Sequence, residues 1–462
     1  MTHRMPAVLI VLALIGGKAR AQVAPADVDR IFERWNQKGS PGCVLGVIQN
    51  GAFVYQRGYG SANLDYAIPN SPDMVYYVGS VSKQFTAAAI ALLAQDGRIG
   101  LDDPVSQYIP EVAHLPRMSV RQLVHHMAGV RDIYVLMALA GIRMQDVLPE
   151  EEAIALIARQ RELNFAPGTD YLYSNSGYLL LAQIIKRVTG QSLRGFADER
   201  IFRPLGMTHT HFHDEPYHVL VNRAISYEPG EGGYRIAYLA NFDKIGAGGL
   251  YTTLGDLLKW DQNFYDNRLG AGFLELMHTR GVLNRGDTLP YAFGLQIGQY
   301  RGLKTVRHSG SLMGFKADLV RFPDQRLSIA TLCNLESVNP TALNNQVADL
   351  YLAPQLGPRV ASSPPARAPA SGAKAAPPAF EPGEYTGSYH SDELDTTYRV
   401  EIASDGLRLH GGLPPARALA PVERDVFRSG SYTLNFQRAA SGRVIGFTIE
   451  AGRVRNIKFQ RQ

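Results

Sequence analysis

The stretch that decides the fold is "YYVGSVSKQFTAAAIALL", residues 76–93, where one lysine stands among small and apolar residues. The residues after Lys83 are apolar around nearly the whole circumference of a helix, which predicts a helix buried in the core. Gly79 and Ser80 precede this helix, where glycine frees the backbone and serine is a common cap. Lys83 follows Ser80 by three residues, so both side chains lie on one helical face, one turn apart.

This spacing allows two interpretations of Lys83. A lysine in apolar surroundings at the positive end of a helix dipole is destabilised in its charged form. Its pKa then falls, and the neutral amine can take a proton from a neighbouring hydroxyl. Alternatively, Ser80 caps the helix and Lys83 extends to solvent. The Ser-x-x-Lys spacing is common, so the rest of the chain must decide.

Length and composition indicate a soluble globular protein with more than one domain. The chain has 462 residues, of which 45% are hydrophobic and 19% are charged, and it is longer than one ordinary domain. No segment approaches the roughly 20 apolar residues that a membrane-spanning helix needs. We therefore expect a protein that does not span a membrane once its leader is removed.

The N-terminus has the pattern of a secretory signal. Arg4 precedes the 11-residue apolar run "AVLIVLALIGG", and "ARA" at 19–21 places small residues where a signal peptidase cuts. We expect residues 1–21 to be removed and the mature chain to be periplasmic or secreted. Three of the 47 basic residues leave with the leader, so 44 face 42 acidic residues. This balance, without a concentrated basic patch, predicts no nucleic-acid partner.

The cysteines and histidines leave alternatives open. Cys43 and Cys333 lie in strand-like runs and could form a disulfide in an oxidising compartment or remain two buried thiols. The chain has no CxxC and no HExxH motif. The histidines at 125–126 and 209–213 lack acidic or cysteine partners at metal spacing. Helix packing and loop chemistry explain them better than a metal site.

Helix and strand patterns predict an α/β fold for most of the chain. Residues 44–59 have the pattern of a strand, an Asn-Gly turn and a second strand. Strands at both ends of a helical middle predict an α/β sandwich whose first and last strands share one antiparallel sheet. Helices are predicted at 82–96, 119–127, 151–160, 176–189, 193–200 and 255–266, and strands at 303–309, 315–323 and 327–334.

A change of composition separates a second region from the domain at 22–352. Residues 353–382 are rich in Pro and Ala, which predicts a semi-rigid linker. Residues 383–462 alternate polar and apolar residues with frequent Gly, which predicts a small β-barrel or sandwich. Its sequence leaves open whether this region binds cell-wall material, covers an active site or only stabilises the protein.

Three segments could together supply an activated serine, which needs a nucleophile, a base and donors for the developing oxyanion. The first contains Ser80 and Lys83. The second, "YLYSNSGYLL", places Tyr173 and Asn175 just before a long apolar helix. Tyr173 can relay a proton there only if a nearby cation lowers its pKa. Asn175 can bind a substrate amide or steady the lysine.

The third segment, "VRHSGSLMGF", places His308 at the end of a strand. Gly310 allows a ligand to approach the backbone closely. Each segment alone also has a structural explanation, namely a helix cap for the second segment and a strand-end hydrogen bond for His308. Their order along the chain and their flanking residues carry the functional interpretation.

In order and flanks, these motifs resemble the penicillin-recognising serine hydrolases on the class C β-lactamase side, also called the S12 peptidase family. The resemblance extends over about residues 28–352, and the C-terminal region resembles the small, lipocalin-like β-barrel appended to many of these enzymes. The segments that carry it are "GYGSANLDYAIPNSPDMVYYVGSVSKQFTAAAI", "LDDPVSQYIPE", "VRQLVHHMAGVRD", "FAPGTDYLYSNSGYLLLAQIIKRVTG", "IFRPLGM", "GAGGLYTTLGDLLKW" and "HSGSLMGF".

The resemblance implies a β-lactamase-like α/β sandwich and an acyl-enzyme mechanism without a metal or organic cofactor. It implies that Ser80 is the nucleophile and that Lys83 and Tyr173 together act as the general base. The backbone N–H groups of Ser80 and Ser311 match the oxyanion hole. The other matched positions are Asn175, His308, Gly310 and Ser311 for substrate binding, with Gly248 and Gly249 bordering the site.

His308 is a departure from the β-lactamases, which usually have lysine at this position. Histidine there resembles the branch of D-aminopeptidases, D-amino-acid amidases and some esterases. An ordinary histidine is half charged near about pH 6.5, so it holds a substrate carboxylate less firmly than lysine does. This favours small amide, D-peptide or ester substrates, including peptidoglycan-derived ones, over β-lactams or a D-Ala-D-Ala carboxypeptidase reaction.

A different class of function is an acylated sensor without turnover, or a binding scaffold. Inactive relatives usually lose the lysine or the tyrosine, and both Lys83 and Tyr173 are present here. The intact motifs therefore favour an enzyme.

Overall fold

The computed structural model describes residues 23–237, 245–359, 380–413 and 415–462. The predicted signal peptide at 1–21 and residues 360–379 of the predicted linker lie outside these ranges. Within the ranges, no helix combines the length and apolar character needed to cross a bilayer.

The helices belong mainly to the first 360 residues. A 3₁₀ turn, Gly79–Ser82, leads directly into α2, and a π-helical turn, Asp198–Phe202, follows α8. The α-helices are α1 (Pro25–Phe32), α2 (Lys83–Gln95), α3 (Val105–Tyr108), α4 (Val120–Val124), α5 (Ile133–Ala140), α6 (Glu150–Ala158), α7 (Asn175–Thr189), α8 (Leu193–Ala197), α9 (Arg203–Leu205), α10 (Leu254–Asp266), α11 (Phe273–His278) and α12 (Pro340–Tyr351).

The strands form a large sheet, several small sheets and a barrel. They are β1 (Cys43–Gln49), β2 (Ala52–Tyr59), β3 (Ser61–Asn63), β4 (Ile68–Pro69), β5 (Tyr76–Tyr77), β6 (His211–Phe212), β7 (Tyr227–Gly230), β8 (Gly233–Ile236), β9 (Leu250–Thr252), β10 (Gln296–Tyr300), β11 (Leu303–Leu312), β12 (Phe315–Phe322), β13 (Leu327–Cys333), β14 (Gly387–Ser391), β15 (Thr396–Ala403), β16 (Gly406–His410), β17 (Arg417–Glu423), β18 (Val426–Ser429), β19 (Tyr432–Arg438), β20 (Val444–Ala451) and β21 (Val454–Arg461).

A six-stranded antiparallel sheet, in the order β10-β11-β12-β13-β1-β2, forms the centre of the first region. The β1–β2 hairpin turns at Asn50 and Gly51, which both have positive φ, as two-residue hairpin turns require. β1 pairs along its whole length with β13. The prediction that the first and last strands share one antiparallel sheet is therefore confirmed. Sequence patterns missed β10 and the helices α1, α5 and α12, together with the shorter elements α3, α9, α11 and β3–β9.

The apolar stretch that begins at Lys83 forms a core helix, as its composition predicts. Residues 83–93 of α2 are all buried, and the helix contacts α7, α8 and α11. These helices pack around α2 on the sides where a surface helix would meet water, so the apolar side chains of α2 are shielded from solvent. This burial holds Lys83, the first residue of α2, away from solvent.

Cys43 and Cys333 form a disulfide. They are direct partners in the pairing of β1 with β13, so the bond joins the first and last strands of the central sheet. Of the two alternatives that the sequence left open, the structure has the bonded one.

The C-terminal region is a closed antiparallel barrel of eight strands, β14–β21. Of the barrel and the sandwich that the sequence allowed, the barrel is correct. Aromatic side chains fill its interior, as expected for a barrel of this size. They include Tyr385, Tyr389, Tyr398, Phe427, Phe436, Phe447 and Phe459.

The barrel is docked onto the helical part of the first region through a buried ion pair. Arg131, just before α5, lies 2.6 Å from the carboxylate of Glu393 in the barrel, and both side chains are buried. Gln160 donates to the carbonyl of Glu393 at 3.1 Å and accepts from Arg131 at 3.0 Å. Removing one partner of such a pair leaves a buried charge without a partner, which destabilises the folded protein by about 3–5 kcal/mol. The docking therefore depends on both partners.

Candidate active site

Ser80 and Lys83 lie together where the 3₁₀ turn meets α2. The Lys83 side chain is 0% exposed, and its Nζ lies 3.2 Å from Oγ of Ser80. No side-chain cap is present on either the turn or α2. The alternative of a capping serine and a lysine that extends to solvent is therefore wrong.

The Lys83 amine has two further partners. It donates to Oδ1 of Asn175 at 2.8 Å and to the carbonyl of Ala247 at 2.7 Å. Burial lowers the pKa of Lys83 well below its ordinary value, against the opposing charge of Asp132. The neutral amine keeps two protons for Asn175 and Ala247, and its lone pair then faces the Ser80 hydroxyl. Lys83 is thus arranged to accept the serine proton.

Asp132 orients the asparagine that contacts Lys83, and it was missed by sequence reasoning. Its Oδ2 accepts from the backbone N–H and from Nδ2 of Asn175, both at 2.8 Å. The same carboxylate caps α5 by accepting from the N–H of Tyr134 at 3.1 Å. An aspartate directly before an apolar run is a helix-cap signal, but only the fold brings it to Asn175.

The Tyr173 ring lies close to the Lys83 amine. A proton relay at Tyr173 was predicted to need a lowered pKa, and the pKa of Tyr173 is not lowered. Nζ of Lys83 is 4.8 Å from the centre of the Tyr173 ring. Burial raises the pKa of Tyr173, and the opposing hydrogen bond with Ser80 and charge of Arg453 are smaller. The phenol therefore keeps its proton. Lys83 is therefore the better placed base, and the role of Tyr173 beside it stays a prediction, in which the phenol passes a proton without becoming ionised.

His308 is buried and neutral, whereas an ordinary histidine is half charged near about pH 6.5. Its Nδ1 lies 2.6 Å from the carbonyl of Ser309 and its Nε2 lies 3.1 Å from the hydroxyl of Tyr291. Nδ1 therefore donates and Nε2 accepts. Burial lowers the pKa of His308 to about 3. The ring carries no charge with which to hold a carboxylate.

β11 packs directly against the turn that carries Ser80. A Cβ atom on Gly310 would lie 1.9 Å from the carbonyl oxygen of Val78 and 3.0 Å from the backbone nitrogen of Ser80. A Cβ atom on Gly79, whose φ is +53, would lie 2.7 Å from the backbone nitrogen of Ser311. Glycine at both positions therefore brings the N–H groups of Ser80 and Ser311 close together, as an oxyanion hole requires.

These residues share one cavity of about 360 Å³. Lys83 lies beneath the lining residues Ser80 and Asn175, which it contacts. Gly249 also lies outside the lining, and its N–H donates to the hydroxyl of Tyr77 at 3.2 Å. Sequence reasoning missed Tyr77, Tyr134, Gln296 and Arg453 in the lining. The lining residues that were already named from the sequence are Gly79, Ser80, Tyr173, Asn175, Gly248, His308, Gly310 and Ser311.

The arrangement suits acyl transfer. A serine hydroxyl stands beside a buried amine that can take its proton, and two N–H groups lie near the position of a developing oxyanion. Among the described residues, no group of three or more His, Cys, Asp or Glu side chains forms a metal site.

The sequence is similar to a known protein family and to two named enzymes. Residues 28–353 match the sequence model of the family described as Beta-lactamase. The D-aminopeptidase of Brucella anthropi is 30% identical over 297 residues, which are 64% of this chain and 56% of that protein. The D-aminopeptidase of Gluconobacter oxydans is 27% identical over 404 residues, which are 87% of this chain and 73% of that protein. The chain thus spans little more than half of the first relative.

A solved structure resembles both regions of the chain. The octameric penicillin-binding protein homologue from Pyrococcus abyssi is 22% identical, with a TM-score of 0.63. The alignment includes 95% of this chain and 99% of that protein. At this identity the likeness establishes the fold, including the barrel.

Proposed function

We propose that this chain, which belongs to the β-lactamase family, is a serine hydrolase that forms an acyl-enzyme at Ser80. The observation that carries the proposal is the fully buried Lys83 amine, 3.2 Å from the Ser80 hydroxyl. A lysine in this setting is an activating base, because burial lowers its pKa and the hydroxyl is within reach.

The reaction proceeds in two steps that share the same groups. In the first, Lys83 takes the proton of Ser80, Oγ bonds to the substrate carbonyl carbon, and the bond to the leaving amine breaks as that amine receives the proton by way of Tyr173. In the second, water gives a proton to Lys83 and attacks the acyl carbon. The bond to Oγ breaks, and the proton returns to Ser80.

Small amides with a D-amino acid on the acyl side are the proposed substrates. The two relatives above are named D-aminopeptidases. The neutral His308 supports this choice over β-lactams, because it lacks the charge of the lysine that β-lactamases usually have at this position. Small esters are the next candidates. Ser80 attacks an ester in the same way, and the leaving oxygen of an ester is less basic than the leaving nitrogen of an amide, so it departs more easily.

Paired p-nitroanilides of D- and L-alanine test the substrate class. We expect kcat/KM for the D-alanyl compound to exceed that for the L-alanyl compound by at least about tenfold, and the direction follows from the similarity to proteins named D-aminopeptidases. Benzylpenicillin and p-nitrophenyl acetate serve as reference substrates. Equal rates for the two alanyl compounds, or faster hydrolysis of benzylpenicillin, would contradict the proposed class.

We also propose that the chain acts after export. The leader-like pattern at residues 1–21 and the Cys43–Cys333 disulfide both support this, since disulfides persist mainly in oxidising compartments. The N-terminal sequence of the protein recovered from periplasm or culture fluid tests it. A mature chain that starts at Gln22 is expected, and an uncleaved chain found only in the cytosol would contradict export.

A further inference from the structure

Arg453 extends from the barrel into the cavity that contains Ser80. It follows Gly452, whose φ is +54, in the two-residue turn between β20 and β21. Its guanidinium carbon lies 4.9 Å from the centre of the Tyr173 ring. Its Nη1 lies 3.4 Å from Oδ2 of Asp132. A residue 373 positions after Ser80 thus reaches the same site.

The first region holds this turn by its backbone. Nδ2 of Asn164 donates to the carbonyl of Arg453 at 2.9 Å, and Oδ1 of Asn164 accepts from the N–H of Arg455 at 2.8 Å. Arg131 donates to the carbonyls of Arg455 and Asn456, both at 3.0 Å. Asn164 and Arg131 are buried, so these hydrogen bonds are shielded from water. The position of Arg453 is therefore built into the docking of the barrel.

Arg453 supplies the charge of the cavity wall. His308 is neutral because burial lowers its pKa to about 3, whereas an arginine side chain remains protonated. The Arg453 side chain is 44% exposed, and its contact with Asp132 is long. Most of its five N–H donors therefore remain accessible to a ligand.

The part of the cavity lining that the structure describes contains no carboxylate. Asp132 is 1% exposed and is occupied by the backbone and side-chain amides of Asn175. Near Ser311, Nζ of Lys316 lies 2.8 Å from the serine hydroxyl and adds a second positive charge. A ligand carboxylate is attracted to these two positive charges.

We propose that Arg453, supplied by the barrel, binds a carboxylate of the substrate, so that the hydrolase prefers substrates with a negative charge near the scissile bond. This inference rests on the proposed function, because it assumes that Ser80 cleaves small D-amino-acid amides. The barrel is then part of the active site and determines which substrates it accepts.

Two matched pairs of substrates test the inference. D-alanyl-glycine and D-alanyl-glycinamide differ by a carboxylate on the leaving-group side. Succinyl- and acetyl-D-alanyl p-nitroanilide differ by a carboxylate on the acyl side. Each pair is measured with the wild type, Arg453→Gln and the control Arg455→Gln. The control loses an equal charge from β21, but its side chain pairs with Asp170 outside the cavity.

We expect the wild type to prefer the carboxylate member of at least one pair by about tenfold or more in kcat/KM. In Arg453→Gln that ratio should fall to within about threefold of unity, because the charge-assisted hydrogen bond to the carboxylate is lost. In Arg455→Gln the ratio should persist. The test compares the ratio of kcat/KM within each pair, because the Arg453 charge also acts on Tyr173. Losing that charge can change the absolute rates of both members of a pair without changing their ratio. No preference in the wild type, or an unchanged preference in Arg453→Gln, would overturn the inference.

A binding measurement separates this inference from the proposed function. Absence of Ser80-dependent cleavage of all four compounds would defeat the proposed function. Titration calorimetry of Ser80→Ala then decides the inference alone, with D-alanyl-glycine against D-alanyl-glycinamide and succinyl- against acetyl-D-alaninamide. Tighter binding of the carboxylate member of at least one pair that is lost when Arg453→Gln is added supports the inference, and equal binding within both pairs overturns it.

Discussion

Replacing Ser80 by alanine is expected to lower kcat/KM for every substrate by at least about a thousandfold, because loss of a nucleophile typically costs more than that. The hydroxyl contacts the Lys83 amine and caps neither the 3₁₀ turn nor α2. The fold should therefore persist in the variant. Steady-state kinetics together with thermal unfolding followed by circular dichroism measure both parts.

Ser106→Ala, in α3 and outside the cavity, is the matched control for a serine-to-alanine change. It should retain wild-type kinetics. If Ser80→Ala kept more than about a thousandth of the wild-type kcat/KM, another residue would have to be the nucleophile.

Replacing Lys83 by methionine is expected to lower kcat/KM by between about a hundredfold and ten thousandfold, the usual contribution of a general base. Methionine fills much of the same buried volume but cannot accept a proton. Lys83→Arg is the matched variant that carries a fixed positive charge and likewise cannot accept a proton. Both variants should therefore be similarly impaired, and near-wild-type activity of Lys83→Arg would show that the charge alone suffices.

The pH dependence of the wild type tests the same role of Lys83. Because the neutral amine is the active form, kcat/KM should rise with pH through the Lys83 pKa and then become constant. Burial lowers this pKa well below the ordinary value of 10.5, so the plateau should begin well below pH 10.5. A rate that rises only as pH approaches 10.5 would mean that the lysine is charged at neutral pH.

Local patterns were sufficient to predict the central elements of the fold. The Asn-Gly hairpin, the apolar circumference of α2 and the strand runs after residue 303 each depend on neighbours in sequence. The elements that were missed have weak local signals. β10, "QIGQY", is short and polar with an internal glycine, and it is a strand because β11 pairs with it.

The electrostatics of the site could not be predicted from sequence, because they depend on burial. His308 was expected to be half charged, but the fold encloses it and places the Tyr291 hydroxyl on its Nε2. Tyr173 was expected to need a cation that lowers its pKa, and burial outweighs the cation that is present. In both cases desolvation is the larger effect, and residue identity does not reveal it.

The contribution of the barrel to the site also lay beyond the sequence. The segment around Arg453 reads as two strands joined by a turn, with no sign of its neighbours. Its position follows from Arg131 and Glu393, which are 262 residues apart and meet only in the folded protein. The docking of Arg453 beside Tyr173 favours a use that was not among the three left open by the sequence, namely a direct part in the active site.

The measurement that tests the account most directly is mass spectrometry of the protein quenched during turnover of p-nitrophenyl acetate. We predict a transient gain of one acetyl group, carried by the peptide that contains Ser80 and lost as turnover ends. The Ser80→Ala variant should show no such gain. An acetyl group located on another residue, or Ser80-independent turnover without any acylated intermediate, would contradict the acyl-enzyme mechanism.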